Sequence, residues 1–186
     1  MVIIEQIETN SSAQRRRAKS GRDFENRVFN DLTIGIGTDA KIQLLRPRTQ
    51  VYPPGVKRQH TFACLQIKTN FGEIIVDSDI VAWKPKTQKP VALISCKTSV
   101  RERLMQSIGN REMYRKGNEY NPALYFVTLD NDLEFGTTRK PKKYRIVASY
   151  MDVNVYSLNP LTEFSGCIYP YDQMITDLKR ISGMKP

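Results

Sequence analysis

Asp79 and Lys97 are the residues of this sequence whose types and surroundings best suit chemistry. Asp79 lies in the strand-like run Glu73–Trp83, and Lys97 follows the apolar run Val91–Ser95. The polar residues 84–90 between the runs have the length and composition of a hairpin connection. Charged side chains at the ends of apolar strands are costly unless they are hydrated, paired or functional. If the two strands pair, Asp79 and Lys97 can approach each other across them.

The acidic residues near Asp79 indicate what kind of chemistry this would be. Side chains alternate between the two faces of a strand, so Glu73, Asp77 and Asp79 are expected on one face. Carboxylates hold Mg²⁺, which neutralises a phosphate and activates water. A lysine beside them would orient that water or stabilise charge in the transition state. The pattern therefore predicts metal-assisted hydrolysis of a phosphodiester bond, and a purely structural salt bridge is the simpler alternative.

A central sheet with helices on both sides is expected to position these residues, in an α/β (α+β) fold of one domain over residues 1–186. A helix is predicted from Ser11 or Ser12 to about Leu32, after a short strand or tail over Met1–Asn10. The other predicted elements are a strand at Ile42–Leu45, three consecutive antiparallel strands at Thr61–Thr69, Glu73–Trp83 and Val91–Ser95, a helix from Ser99 to about Arg115 that begins with a Ser99–Glu102 capping box, strands at Ala123–Leu129, Arg145–Tyr150 and Asn154–Leu158, and a closing helix at Tyr171–Ile181.

The charge of the chain predicts a nucleic-acid partner. The chain has 29 Lys and Arg against 19 Asp and Glu, which gives a net charge of +10. Phosphate backbones attract such a surface, although a merely solvated basic surface is the alternative. The run Arg15–Lys19 is expected to contact phosphates or to form a solvated helix face. The run Arg139–Lys143 suits a basic loop that meets DNA or a partner protein.

The few cysteines and the single histidine argue against several classes of site. Cys64, Cys96 and Cys167 stand far apart, which disfavours a disulfide framework and a structural zinc site, so reduced thiols are expected. His60 is expected at the surface or in a hairpin rather than in catalysis. The sequence has neither a signal peptide nor an apolar run near the roughly 20 residues of a membrane span. A soluble cytoplasmic protein without membrane contact is therefore expected.

Taken together, these residues resemble the PD-(D/E)-x-K nuclease superfamily, to which many type II restriction endonucleases belong. Ser78-Asp79 stands in the place of the Pro-Asp pair, and Ser95-Cys96-Lys97 in the place of the (Asp/Glu)-x-Lys triplet. The resemblance covers roughly residues 13 to 130. It implies a restriction-endonuclease-like core that hydrolyses double-stranded DNA with Mg²⁺.

The resemblance also implies roles for further residues. Many members use a glutamate from a helix before the sheet, here Glu25, and a glutamine from the helix after the lysine, here Gln106. The implied catalytic residues are thus Asp79, Lys97, Glu25, Asp77 and Gln106. The implied metal ligands are Asp79, Asp77, Glu25 and the backbone carbonyl of Cys96.

This sequence departs from the pattern at Ser95, where the superfamily usually has an acidic residue. A serine does not supply the lost negative charge, so another acid must complete the metal site. Asp77 and Glu25 are the best replacements, and Glu73 is the third.

The length, the motif layout and the segment Cys96–Arg103 look like the small subunit of a heterodimeric type IIS restriction endonuclease. In that arrangement a larger subunit recognises the site and nicks one strand. This chain would then cut the other strand only when docked on the larger subunit. The alternatives are a catalytically inactive nucleic-acid-binding subunit on a degenerate nuclease fold, and a structure-specific DNA repair nuclease or resolvase. A small core of this kind could equally form a homodimer.

Overall fold

Residues 2–37, 41–47, 65–118 and 121–184 are described by the structure, a computed structural model, and they form four helices and eight strands. The elements, in chain order, are α1 (Val2–Ile36), β1 (Gln43–Leu45), β2 (Gln66–Thr69), β3 (Gly72–Ile75), β4 (Ile80–Lys84), β5 (Lys89–Lys97), α2 (Arg101–Gly117), β6 (Ala123–Thr128), α3 (Lys143–Tyr150), β7 (Asn154–Ser157), β8 (Ile168–Pro170) and α4 (Gln173–Ser182).

The centre of the fold is a six-stranded mixed sheet in the order β1-β4-β5-β6-β7-β8. Strands β1, β4 and β5 pair antiparallel, and β5 to β8 pair parallel. Strands β2 and β3 form a separate antiparallel pair. The predicted α/β fold is therefore confirmed, with β5 at the junction of the antiparallel and parallel halves.

Each face of the central sheet carries its own apolar core, because side chains alternate along the strands. Ile94 and Cys96 of β5 belong to the core that also contains buried residues of α1 and α4. Leu93 of the same strand belongs to the core that contains buried residues of α2 and α3. Two helices thus cover each face, and β5 is buried between them.

Helix α1 is longer than the sequence predicts. The expected strand or tail over Met1–Asn10 is wrong, because the helix already begins at Val2. No glycine or proline precedes Gly21, and that stretch contains several strong helix formers, so nothing local ends a helix there. The predicted apolar stripe is confirmed, since Phe24, Val28 and Leu32 are buried. The helix ends before Gly37, which has a φ of 69°.

The predicted single strand Glu73–Trp83 is wrong, because two strands in different sheets replace it. Val76–Asp79 interrupts it, where the Val76 amide donates to the Leu65 carbonyl at 3.0 Å. Glu73 consequently lies in β3 of the small sheet, and β4 begins only at Ile80. The three expected strands are therefore four. Strands β2 and β3 pair antiparallel as predicted, and so do β4 and β5, but the two pairs lie in separate sheets.

Three other elements differ from the prediction. The run Arg145–Tyr150 belongs to helix α3, because its core-facing residues recur at helical spacing and tertiary packing overrides the strand propensity of its aromatic and β-branched residues. Helix α2 begins at Arg101 with Val100 in the capping position, so Ser99 is not the N-cap. Strand β8 lies in a run that the sequence analysis assigned to no element.

The predicted strand Thr61–Thr69 corresponds to β2, which begins at Gln66, and residues 61–64 lie outside the described part of the chain. The other predicted elements are confirmed apart from shifts of a residue or two at their ends. Cys64 and His60, and most of the irregular segment around them, lie outside the described residues. Cys96 and Cys167 are free thiols. None of the helices described here is long and apolar enough to cross a membrane.

Candidate active site

Asp79 and Lys97 meet at the junction of β4 and β5. Asp79 directly precedes β4, and Lys97 is the last residue of β5. The Lys97 Nζ lies 2.7 Å from Asp79 Oδ2, which also accepts a hydrogen bond of 2.8 Å from the Cys96 amide. The Asp79 side chain is 1% exposed, and that of Lys97 is 20% exposed. The predicted approach of the two residues is thus confirmed, and the lysine lies on the solvent side of the pair.

Ser78 anchors the chain immediately before Asp79. Its Oγ lies 2.8 Å from the carbonyl of Ile80 and 3.2 Å from the carbonyl of Ile94. These contacts join the start of β4 to the facing part of β5, because Ile80 and Ile94 are register partners. The serine that stands in the place of a proline therefore helps to hold the backbone from which Asp79 projects.

A cavity of about 880 Å³ opens next to this pair at the carboxyl end of β5. Its walls come from α1, the segment before β4, the end of β5, the start of α2 and the turn after β6. The lining residues are Ala18, Gly21, Arg22, Glu25, Asp77, Cys96, Lys97, Thr98, Ser99, Arg101, Arg103 and Asp132. The structure thus brings Glu25, Asp77 and Lys97 to one cavity, while the buried Asp79 lies behind Lys97.

Cys96 contributes its backbone to the site rather than a reactive thiol. Burial raises the pKa of the thiol well above its usual value, and the nearby carboxylates of Asp79 and Glu25 raise that pKa further. The thiol is therefore neutral at physiological pH. The amide and the carbonyl of one strand residue point to the same neighbouring strand. Since the Cys96 amide donates to Asp79, the Cys96 carbonyl also faces the Asp79 side of β5.

Ser95, at the position that is usually acidic, is tied to α2. Its hydroxyl lies 2.8 Å from that of Ser107, which in turn lies 2.9 Å from the carbonyl of Arg103. Ser95 is buried, at 4% exposure. A pair of neutral hydroxyls therefore occupies the position that is acidic in the PD-(D/E)-x-K pattern.

Gln106 is not brought to the cavity, because it is exposed on α2 and its side-chain oxygen accepts a hydrogen bond from Arg103 at 3.1 Å. Asn110, one turn further along α2, donates to the carbonyl of Asp77 at 3.3 Å. Sequence reasoning missed Ser107 and Asn110. Ser107 lies three residues after the buried Leu104, and Asn110 lies three residues after Ser107, so this i,i+3 spacing was the available signal.

Sequence reasoning also missed Asp132, which reaches the cavity from the turn after β6. Arg101 lies 3.6 Å from Asp132 and 3.8 Å from Glu134, so the turn is joined to the start of α2 by exposed ion pairs. The carboxyl ends of neighbouring parallel strands lie at one edge, so a polar turn directly after a predicted strand was the available signal. Glu73, the third replacement considered for the missing acid, lies in the small sheet and does not line the cavity.

The donor atoms at this cavity suit a hard divalent cation. Within the described ranges, no three His, Cys, Asp or Glu side chains are grouped closely enough to hold a metal ion. Mg²⁺ is typically bound through one or two carboxylates, with water and substrate phosphate as the other ligands. Glu25 and Asp77 offer carboxylate oxygens at the cavity next to Lys97, so the residues present fit Mg²⁺ by their chemistry.

A mixed sheet between helices, with this aspartate–lysine pair at the end of a hairpin strand, defines the restriction-endonuclease-like class of fold. Residues 55–181 match the family model described as BsaWI restriction endonuclease type 2. Because the match spans more than half of the 186 residues, the chain belongs to this family. It is therefore a restriction endonuclease, a hydrolase that cleaves DNA. No curated protein matches the chain significantly. The matched stretch contains Asp79 and Lys97 but not Glu25.

Proposed function

We propose that this chain is the Mg²⁺-dependent catalytic subunit that hydrolyses a phosphodiester bond in one strand of double-stranded DNA. The observation that carries the proposal is the 2.7 Å contact between Lys97 and Asp79 at the edge of a cavity lined by carboxylates. The contact fixes the lysine ammonium group where a phosphate oxygen or an attacking water can meet it. The basic charge of the chain agrees with a polyanionic substrate.

The residues of the site have distinct roles in this proposal. Lys97 donates to the attacking water or to an anionic oxygen, and Asp79 orients Lys97. Glu25 and Asp77, which line the cavity, would hold the ion with the Cys96 carbonyl, water and substrate phosphate, and the proposed fourth ligand Asp79, which pairs with Lys97 in the free chain, would join them on metal binding. When bound, Mg²⁺ neutralises phosphate charge and lowers the pKa of a coordinated water. Gln106 is also proposed as a catalytic residue. Its side chain contacts Arg103 in the free chain, so Gln106 would have to change rotamer to reach the DNA.

The proposal includes a larger partner subunit that recognises the DNA site and nicks the other strand, as in a heterodimeric type IIS enzyme. Two features support it. The segment Cys96–Arg103 and the order of the motifs resemble such small subunits. In addition, all four described helices contribute buried residues to the two cores of the nuclease sheet. Since these helices pack against the nuclease sheet, recognition of the DNA site by a second polypeptide agrees with the fold.

The test is cleavage of a supercoiled plasmid in Mg²⁺, with and without the large subunit. We compare the wild type with Lys97→Ala and with Lys89→Ala, a matched control at the opposite end of the same strand. With the partner, we expect the wild type and Lys89→Ala to give linear plasmid, whereas Lys97→Ala should give nicked plasmid and no linear product. Without the partner, we expect no linear product from any of the three proteins. Linear product from the chain alone would contradict the partner requirement. Equal products from wild type and Lys97→Ala would contradict the catalytic assignment.

A second function is favoured by one specific observation, the Ser95–Ser107 hydroxyl pair in the place of an acidic residue. It is that of a non-catalytic DNA-binding subunit on a degenerate nuclease fold. Calorimetric titration of the chain with Mg²⁺ separates the two functions. Binding that disappears in Asp79→Asn supports the nuclease, whereas a wild type without any Mg²⁺ binding supports the degenerate copy.

A further inference from the structure

The connection between β6 and α3 ends in a strongly basic hairpin over residues 136–143, which the proposed hydrolysis does not use. Its sequence contains no acidic residue, and four of its last five residues are Arg139, Lys140, Lys142 and Lys143. All four are exposed. Such a dense positive charge in a short segment is suited to binding a polyanion.

The backbone of this hairpin has a fixed shape. Gly136 and Pro141 form an antiparallel bridge, and the Thr137 amide donates to the Lys140 carbonyl at 3.2 Å. Gly136 has a φ of 61°, and a Cβ at this position would lie 2.6 Å from the Lys140 carbonyl oxygen. The turn therefore requires glycine, both for its φ and for its space.

Arg145 clamps the hairpin from inside the protein. The residue is 7% exposed. Its guanidinium group donates to the carbonyls of Phe135 (3.1 Å), Gly136 (3.1 Å) and Glu163 (2.7 Å) and to the hydroxyl of Ser165 (2.7 Å). These bonds tie the hairpin to α3 and to the segment before β8. The conformational entropy of ordering the hairpin is thus already lost in the free protein, which favours binding by its exposed charges.

The hairpin is part of the same edge of the sheet as the cavity. Thr128, at the end of β6, is the register partner of Lys97, so both strands end at one edge. The chain then passes Asp132, which lines the cavity, before it enters the hairpin. Helix α3 starts at Lys143 with no side-chain cap and no acidic residue in its first turn, so its positive end adds to the charge.

We propose that the hairpin 136–143 binds the phosphate backbone of the DNA beside the site of cleavage. The inference rests on DNA as the substrate. Lysine is depleted in the cores of protein–protein interfaces, whereas DNA-binding surfaces are strongly positive. The hairpin carries exposed lysine and arginine and no large apolar side chain, so its chemistry fits phosphates better than a protein surface.

The test is equilibrium binding of the full chain to a random-sequence DNA duplex in EDTA. Fluorescence anisotropy measures the binding constant K at a series of salt concentrations. We compare the double variant Arg139→Gln/Lys142→Gln with Lys86→Gln/Lys116→Gln. The control removes two exposed charges at the opposite edge of the sheet, in the β4–β5 turn and at the end of α2. Two lost phosphate contacts are expected to reduce the slope of log K against log salt by about 2, while the control leaves it unchanged.

A hairpin variant with the wild-type slope, or a control variant with the same loss, would overturn the inference. Thermal unfolding of both variants checks that the fold is intact, since none of these four side chains is buried. Plasmid cleavage separates this inference from the proposed function. If the wild type cleaves plasmid but the hairpin variant keeps the wild-type slope of log K against log salt, only the proposed role of the hairpin is overturned. If the wild type does not cleave but the hairpin variant has a reduced slope, only the proposed hydrolysis is overturned.

Discussion

The stability of the protein is expected to depend on the Lys97–Asp79 pair as a unit. Lys97→Met keeps most of the volume of the side chain but removes the ammonium group from a carboxylate that is 1% exposed. The Cys96 amide still donates to that carboxylate, yet the buried negative charge has lost its opposite charge at 2.7 Å. Removing the charge of Asp79 at the same time, with Asp79→Asn, should therefore rescue much of the loss.

The expected magnitudes follow from the burial of the two partners. Breaking a buried ion pair by removing one partner typically costs 3–5 kcal/mol, and because Lys97 reaches solvent we expect about 3 kcal/mol for Lys97→Met. The double variant loses both charges, and the amide oxygen of asparagine can still accept from Cys96. We therefore expect it to lose about 1 kcal/mol, much less than the sum of the single variants, so the coupling equals about 2 kcal/mol plus the cost of Asp79→Asn alone.

Urea unfolding of the four proteins measures this coupling. Trp83 is the one tryptophan of the sequence, and it is fully buried in β4, so its fluorescence reports unfolding of the central sheet. The measurement needs neither DNA nor Mg²⁺ and is independent of catalysis. A double variant whose loss equals the sum of the two single losses would refute the reasoning, because the residues would then contribute to stability separately.

Two further predictions concern packing and pH. Gly35→Ala should destabilise the protein by about 1–3 kcal/mol, because a Cβ at Gly35 overlaps the side chain of Ile175 in α4, whereas Gly21→Ala on the same helix meets nothing and should be neutral or stabilising. Thermal unfolding compares the two variants, and equal shifts would contradict the packing argument. Burial raises the pKa of Asp130, so the stability that this residue contributes is full below its unfolded pKa of about 3.9 and is lost as the pH rises through its higher folded pKa. Between these two pKa values, the free energy of unfolding of the wild type relative to Asp130→Asn should therefore fall as the pH rises. A difference in urea unfolding that does not change with pH would argue against a raised pKa of Asp130.

The sequence predicted the features that depend on local order along the chain. Strand alternation and a hairpin of suitable length were enough to predict that Asp79 and Lys97 meet, because both patterns lie within about twenty residues of sequence. The division of the run Glu73–Trp83 between two sheets was not predictable in this way. It depends on a hydrogen bond from Val76 to Leu65, a contact between separate segments that strand periodicity does not encode.

Helix α3 shows a second limit of local reasoning. The aromatic and β-branched residues of Arg145–Tyr150 favour a strand by propensity, yet the segment packs as a helix on the core formed with α2. Among the described residues, the buried Arg145 donates to acceptors at the neighbouring hairpin and in the segment before β8, and no local pattern predicts that these segments surround it. The contacts that fix the surroundings of the site are thus non-local, even though Asp79 and Lys97 are close in the sequence.

The departure at Ser95 bears directly on how a metal site would be assembled in this chain. Ser95 faces α2 and is bonded to Ser107, so that side of β5 offers hydroxyls. The carboxylates that line the cavity come from other elements, Glu25 from α1, Asp77 from the segment before β4 and Asp132 from the turn after β6. Negative charge missing from the usual strand position would therefore be supplied from outside β5. Because α1 packs on the sheet through its own stripe of buried residues, the proposed role of Glu25 requires that this helix is docked, and the proposed site then depends on both layers of the fold.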